Sequence, residues 1–221
     1  MLVKNYMTRH PVMIESHKQV MEAQRVMAES KIRHLPVVGD GKRLLGLVTP
    51  QRLQIHPERL ASLNVWEITR FLAELTVDKV MIHGKGLTTI SPEATLEDAA
   101  MLMIKHKLNG LPVVEGDIVV GIITDTDLLI EFGNLLGAND DGWRATVRVP
   151  DRSGEFAKLY SAILGRGWGI MAAGSVRSPK VDDHWDLVVK IRGGTEEEVA
   201  EMVAGVGGQE LTDLRHTDRM T

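Results

Sequence analysis

Apolar residues fall into two spacings that alternate along the first part of the chain. Val20, Ala23, Gln24 and Met27 stand at i, i+3, i+4 and i+7, and Leu96, Ala99, Ala100 and Met103 repeat that spacing. It is the inward stripe of an amphipathic helix. After each stripe come short apolar runs of strand length, Leu35-Pro36-Val37-Val38 and then Leu111-Pro112-Val113-Val114 with Ile118 to Ile123. Pro112 opens its run, where a sheet tolerates a proline. Thr88-Thr89-Ile90 reads as extended, Ser91-Pro92 as a turn, Thr95 with Asp98 as the cap of a helix reaching about Lys107, and Glu115-Gly116-Asp117 as a hairpin turn.

These patterns are one unit written twice. Lys31 to Val38 aligns with Lys107 to Val114, Gly46-Leu47-Val48-Thr49 with Gly121-Ile122-Ile123-Thr124, and Met7 with Met81. The copies cover 2–54 and 77–132, each predicted as extended segment, helix, strand, turn, strand, helix. One unit is too small to bury both faces alone, so the two are expected to pack together. Residues 55–76 join them, with a helix expected from Pro57-Glu58 and an apolar surface from Leu60, Leu63, Trp66, Leu72 and Leu75.

Gly121-Ile122-Ile123-Thr124-Asp125-Thr126-Asp127 carries the candidate chemistry. Thr124 is placed to cap a helix, with Asp127 at its third position. A helix start presents free N–H groups and a positive dipole end to an anion. A carboxylate at Asp127 repels a phosphate set directly against it, yet accepts from a sugar diol. The stretch would hold a nucleoside with its ribose on Asp127 and its phosphate near the Thr124 hydroxyl, or would serve only as a capped helix start.

A second pattern begins after the Gly/Asn/Asp-rich stretch at 133–143. Ala145 to Val149 alternates as a strand; Phe156, Leu159, Tyr160, Ile163 and Leu164 share a helix face ending at Gly165 or Gly167. Ile170–Val176 and Trp185–Ile191 read as strands, Thr195-Glu196-Glu197-Glu198 opens a helix, and Gln209–Leu214 reads as a last strand. The order βαββαβ is ferredoxin-like.

Composition narrows the function. The chain of 221 residues is 43% hydrophobic and 25% charged, the balance of a soluble globular protein of one large or two small domains. With no Cys, thiolate metal sites and cysteine nucleophiles are excluded. A net charge of −4 argues against nucleic acid as a partner. No apolar run reaches the ~20 residues of a membrane span, so a cytoplasmic setting is expected. The eight His lack metal-ligand spacing, and neither a Gly-x-Ser-x-Gly elbow nor a phosphate loop is present. No catalytic constellation and no metal site are expected.

The paired Leu-Pro-Val-Val strands, the two Gly-h-h-Thr stretches (h apolar) and the helix stripe before them resemble CBS domains, whose tandem pair forms a Bateman module. That resemblance implies a pseudo-twofold pair with clefts for adenosine ligands, the acid of a Gly-h-x-Thr/Ser-x-x-Asp motif taking the ribose. Thr124 and Asp127 match it, and Ile122, Thr89, Ile90, Leu111 and Pro112 are the implied walls. Arg33 and His34 match positions that contact phosphate in kinase-regulatory members of the family. The Arg33 fork suits phosphate oxygens, and His34 would be part-charged near neutral pH. A second cleft would gather Ile14, Thr49 and Arg52. Arg52 stands where the acid belongs and has no acceptor, so one nucleoside site is expected rather than two.

Val147-Arg148-Val149-Pro150-Asp151-Arg152-Ser153-Gly154, with the apolar helix behind it, resembles an ACT domain, which implies a small-ligand site at Asp151 and Gly154. The expected chain is therefore mixed α/β: CBS repeat 1 (2–54), helical linker (55–76), CBS repeat 2 (77–132), interdomain linker (133–143) and a ferredoxin-like ACT domain (144–216). That arrangement resembles the acetoin-utilisation regulatory proteins. It implies a non-catalytic homodimeric sensor with no required cofactor, AMP, ADP or ATP as regulatory ligand, and a regulated partner enzyme. The alternative is a constitutive interaction module with a vestigial cleft.

Overall fold

Both apolar stripes fold as helices, α2 (Val20–Glu29) and α4 (Leu96–His106). Thr95 and Asp98 form the expected capping box of α4, Asp98 N donating to Thr95 Oγ1 at 3.0 Å and Thr95 N to Asp98 Oδ2 at 3.0 Å. The computed structural model describes residues 1–54 and 64–218 and divides into two compact units, Met1–Leu128 and Leu129–Thr221.

In the first unit each repeat builds a small sheet. β2 (Ile14–Glu15) runs parallel to β3 (Leu35–Val38), which pairs antiparallel with β4 (Leu44–Val48). β5 (Gly110–Glu115) pairs antiparallel with β6 (Ile118–Thr124), and Ile90 bridges Val113 in parallel as Ile14 does Val37. Each helix stripe lies on its own sheet. Val20, Ala23 and Met27 share a core with Ile14, Leu35, Val37 and Val48, while Leu96, Ala99 and Met103 share one with Ile90, Leu111, Val113 and Ile123.

The segments that lead into the repeats are exchanged. α1 (Val3–Tyr6) docks on the second repeat, Val3 N donating to Ala94 O and Lys4 N to Pro92 O, both at 2.9 Å. Residues 77 and 78 dock on the first by the aligned bonds, Val77 N to Lys18 O at 2.9 Å and Asp78 N to Ser16 O at 3.0 Å. β1 (Thr8–Arg9) then pairs with β6, Thr8 opposite Ile122, and Ile82 bridges Leu47. The repeated glycine of each Gly-h-h-Thr stretch makes room for this. A Cβ on Gly46 would stand 2.6 Å from Met81 Sδ and 2.7 Å from Ile82 O, and Gly121 is overlaid by Met7 in the same way. Two pairs of aligned positions meet across the repeats, Arg43 bridging Ile118 and His34 packing on Gly110, which is the signature of a pseudo-twofold axis.

Two expectations change. After β4 the first repeat continues as a turn over 51–53 rather than a helix. The expected linker start at Pro57-Glu58, with Leu60 and Leu63, lies outside the described residues. The helix that is described, α3 (Val65–Glu74), is capped by Asn64, which accepts from Trp66 N and Glu67 N at 3.0 and 3.1 Å while Glu67 answers to Asn64 N at 2.8 Å. Trp66 is 85% exposed, so among the described residues the linker's packed side is Leu75 with half-buried Ile68, Phe71 and Leu72.

α5 (Asp125–Leu135) crosses into the second unit. There β7 (Gly142–Pro150), α6 (Glu155–Gly165), β8 (Gly169–Arg177), β9 (His184–Arg192), α7 (Glu196–Ala204) and β10 (Glu210–Thr217) follow the βαββαβ order. The antiparallel sheet has the order β10-β7-β9-β8. Ala145, Val147 and Val149 face the helices with Leu159, Ile163, Val199 and Val203. Arg148 forms a fork on Asp186 at 2.9 and 3.2 Å on the sheet. Lys190 is 1% exposed and donates to Thr217 O at 3.3 Å and to Thr217 Oγ1. Gly193 and Gly194 serve packing: the Trp168 ring lies where their Cβ atoms would be.

Candidate nucleotide cleft

A cleft of about 300 Å³ opens where the first repeat meets the β6–α5 corner of the second. Three walls meet there: Thr8, His10, Pro11 and Val12 of the leading segment, Lys31 to His34 of the first repeat, and Ile122 with Thr124 to Asp127 of the second. His10 has φ +51 and Lys31 φ +53, left-handed conformations that turn the chain at two of these walls.

The corner itself is a capping box. Asp127 Oδ2 accepts from Thr124 N and from Thr124 Oγ1, both at 2.7 Å, and Asp127 N donates to Thr124 Oγ1 at 3.4 Å. Two consequences follow. Asp127 Oδ1 has no donor among the described residues and remains open to a ligand hydroxyl. The Thr124 hydroxyl gives its one hydrogen to the carboxylate, so it meets a ligand only as an acceptor and cannot donate to a phosphate. The hydroxyl therefore offers no donor to the phosphate expected beside it, and the other wall is formed by Lys31 to His34.

That wall is cationic. Lys31 and Arg33 form no ion pair among the described residues and both are exposed. Asp125 is already engaged: its carboxylate accepts from Asn109 Nδ2 at 2.8 Å and from Thr126 N at 2.7 Å. Burial pushes Asp125 up, but the bonds from Asn109 and Thr126 and the charge of Arg33 outweigh it and hold it below its ordinary value. His34 is half-buried, and that burial lowers it from its ordinary 6.5; attraction to Asp125 opposes the shift and Arg33 adds to it. Burial therefore shifts His34 toward its neutral form relative to a free imidazole.

Of the sequence-selected residues, the cleft brings together Ile122, Thr124, Asp127, Arg33 and His34. Thr89 and Ile90 line a different depression with Ser91, Glu93 and Glu115. Leu111 is fully buried, and Pro112 lies in β5 opposite Ile122. The exchanged leading segment explains this: Thr8 to Val12 occupies the wall assigned to Thr89 and Ile90. Thr8, His10, Pro11, Val12 and Lys31 also line the cleft and stand outside the residues the motif selects, although the Met7–Met81 alignment places the leading segment within the repeat. Ile14 is a core residue, Thr49 follows β4 and accepts from Arg52 N at 3.0 Å through its carbonyl, and Arg52 lines another cleft. In the second unit Asp151 accepts from Arg177 Nη1 at 3.2 Å, and Gly154 caps α6 at φ +88. Asp141, His216 and Asp218 bring candidate ligand atoms within 4.8 Å of one another. All are exposed, and His216 already engages both carboxylates through its two ring nitrogens at 3.5 and 3.2 Å.

Known proteins share the paired repeat. The sequence profile of the CBS domain matches residues 3–54 and 77–134. The Vibrio cholerae protein assigned to acetoin utilization (AcuB) is 36% identical, over 62% of this chain and 96% of that one, with a TM-score of 0.51. This chain belongs to the CBS domain family. Its CBS pair is also similar to that of protein MJ0100, solved in complex with 5′-methylthioadenosine and S-adenosyl-L-methionine, at 27% identity over 61% of this chain and 97% of that one, TM-score 0.50. Among curated proteins, a homoserine O-acetyltransferase of Methanocorpusculum labreanum is 33% identical over 129 residues, 58% of this chain. The L-aspartate semialdehyde sulfurtransferase of Methanocaldococcus jannaschii is 28% identical over 135 residues, 60% of this chain. The chain spans only 23% of the length of either enzyme. No helix among the described residues is long and apolar enough to cross a membrane.

Proposed function

We propose that this CBS pair is a non-catalytic sensor that binds an adenine nucleotide, AMP, ADP or ATP, in the Asp127 cleft. The observation that carries the reading is the meeting of a carboxylate oxygen on Asp127 with two cations of the other repeat, Lys31 and Arg33, all three without a partner among the described residues. Asp127 Oδ1 takes the ribose hydroxyls, Ile122, Pro11 and Val12 enclose the base, and Arg33 with Lys31 takes the phosphate. A ligand so held contacts both repeats and the leading segment at once, and shifts their packing only by its differential affinity for two arrangements. The adenosyl ligands seen with the MJ0100 pair support the class of ligand. The βαββαβ unit serves as an ACT-type regulatory domain, with Asp151 and Gly154 flanking its ligand position. The full assembly is a cytoplasmic homodimer acting on a partner enzyme of acetoin utilization.

Calorimetric titration of the wild-type chain and of Asp127→Ala and Arg33→Ala with AMP, ADP, ATP and S-adenosylmethionine tests this. Binding near one site per chain is expected, weakened by both substitutions for the nucleotides. Silence from all four ligands sinks the reading. It would leave a constitutive interaction module, which the exposed Leu129, Ile130 and Phe132 on α5 favour.

A further inference from the structure

The exchanged leading segments leave one unequal pair of positions. Met7 aligns with Met81, so Tyr6 aligns with Val80. Tyr6 packs against the second repeat's core, and Val80 holds the corresponding place against the first. Valine is the smaller side chain, and beside it lies a cleft of about 340 Å³. α3 forms one side of that cleft with Phe71, and the chain just beyond α3 adds Leu75. Its floor is apolar, with Val20, Leu53 and Leu75 buried.

Its rim is cationic and polar. Arg52, Lys79 and His83 are all exposed there, beside Gln51 and Gln54. Lys79 Nζ donates to Glu74 O at 3.0 Å, which holds the ammonium at the C-terminal end of α3. The Glu74 carboxylate itself is taken by Arg70 at 2.8 Å. The described lining contains no carboxylate to answer a ribose diol as Asp127 does, and the positive charges of Arg52 and Lys79 stand over an apolar floor.

We propose that this cleft is a second small-molecule site, separate from the Asp127 cleft, for an organic anion with an apolar body, a carboxylate or a phosphate ester. The apolar body lies on Val20, Leu53, Phe71 and Leu75, and the anionic group meets Arg52 and Lys79. Its size falls at the lower end of the ~300–1,000 Å³ of small-ligand sites. Arg52, which removes the ribose acceptor from the first repeat's motif, is here the anion's principal partner. The proposal does not depend on nucleotide binding at Asp127.

The test uses the full chain, with phenyl phosphate, benzoate and the neutral benzyl alcohol as probes in calorimetric titration. At least one anion is expected to bind saturably and about tenfold more tightly than benzyl alcohol, the preferred anion distinguishing phosphate from carboxylate. Val80→Tyr, which gives the first repeat's core the side chain that Tyr6 gives the second's, should abolish that binding. Arg52→Glu should weaken it about tenfold or more, and Arg33→Ala should leave it unchanged. The urea midpoint of each variant establishes that it is folded. Should Val80→Tyr fail to fold, the exposed Arg52→Glu decides alone. No saturable binding of either anion overturns the proposal, as does anion binding that survives Arg52→Glu or is lost in Arg33→Ala.

Discussion

Gly110 lies so close to His34 that a Cβ on the glycine would stand 3.0 Å from both Cγ and Nδ1 of the imidazole. The two are aligned positions of the two repeats, meeting across the pseudo-twofold axis, and the contact is possible because one of them has no side chain. Lys31 and Arg33, which line the cleft, stand just before His34 in the chain. Gly110→Ala must therefore push the imidazole aside, at a cost of about 1–3 kcal/mol as overpacking in a close-packed site. Combining it with His34→Ala should recover most of that loss, a coupling read from urea unfolding of the four members of the cycle. Additive effects would show that the ring and the glycine are not in contact.

His34 also sets a pH dependence of stability. Burial holds its folded value below 6.5, while the unfolded chain titrates at the ordinary value. Between the two the unfolded state binds more protons, so stability rises with pH through that window and is lost as pH falls through it. Urea midpoints measured from about pH 7.5 down to 5 should fall further in the wild type than in His34→Gln. A phosphate bound beside the ring raises its value, so nucleotide binding should take up protons on the acid side, seen as a calorimetric enthalpy that varies with buffer ionisation. Identical pH profiles for the two chains would remove His34 from the account.

The parts legible in the sequence are those fixed by neighbours along the chain. Thr95 and Asp98 cap α4 because the box needs only four consecutive residues, and Gly116 turns the β5–β6 hairpin at φ +65. The Asn64–Glu67 box that starts α3 has the same kind of signature, though the reading of the sequence starts that helix at Pro57-Glu58. What the sequence does not reveal is the partner of each leading segment. Val3 and Val77, and Met7 and Met81, are chemically the same pairs, so either repeat could receive either segment. The choice is made by chain geometry, and it moves a cleft wall from Thr89 and Ile90 to Thr8, Pro11 and Val12. Asp127 was legible as a motif residue. That one of its oxygens is spent on Thr124 required the folded corner.

The double role of Asp127 can be divided experimentally. Thr124→Val removes the hydroxyl from the capping box and should cost about 1 kcal/mol of stability, while leaving Asp127 Oδ1 available to a ribose. Asp127→Ala removes both cap and acceptor. It should lose a similar amount of stability, and nucleotide affinity should drop by about tenfold to a hundredfold, the range for a hydrogen bond to a charged group. Thermal unfolding and AMP titration of both variants provide the comparison. Equal losses of affinity would mean that Asp127 acts on the ligand only by holding the helix.

The repeated glycines beneath Met7 and Met81 make a second separable pair. Gly46→Ala meets Met81 Sδ at 2.6 Å and the carbonyl of Ile82 at 2.7 Å, and a backbone oxygen held in a bridge cannot swing away. At Gly121 the side chain of Met7 is the closer obstacle and Thr8 O lies at 3.1 Å. Both substitutions should cost about 1–3 kcal/mol. Met7→Ala should relieve Gly121→Ala more fully than Met81→Ala relieves Gly46→Ala, because only the first obstacle is chiefly a flexible side chain. Their effects on ligand binding should part company. Gly121 lies under the segment whose Thr8 and Pro11 line the nucleotide cleft, whereas Gly46 lies under the opposite segment. AMP affinity should therefore fall in Gly121→Ala and be restored with Met7→Ala, while Gly46→Ala leaves it near the wild-type value. Equal loss in both glycine variants would mean that the cleft responds to general loosening of the pair rather than to the position of its leading segment.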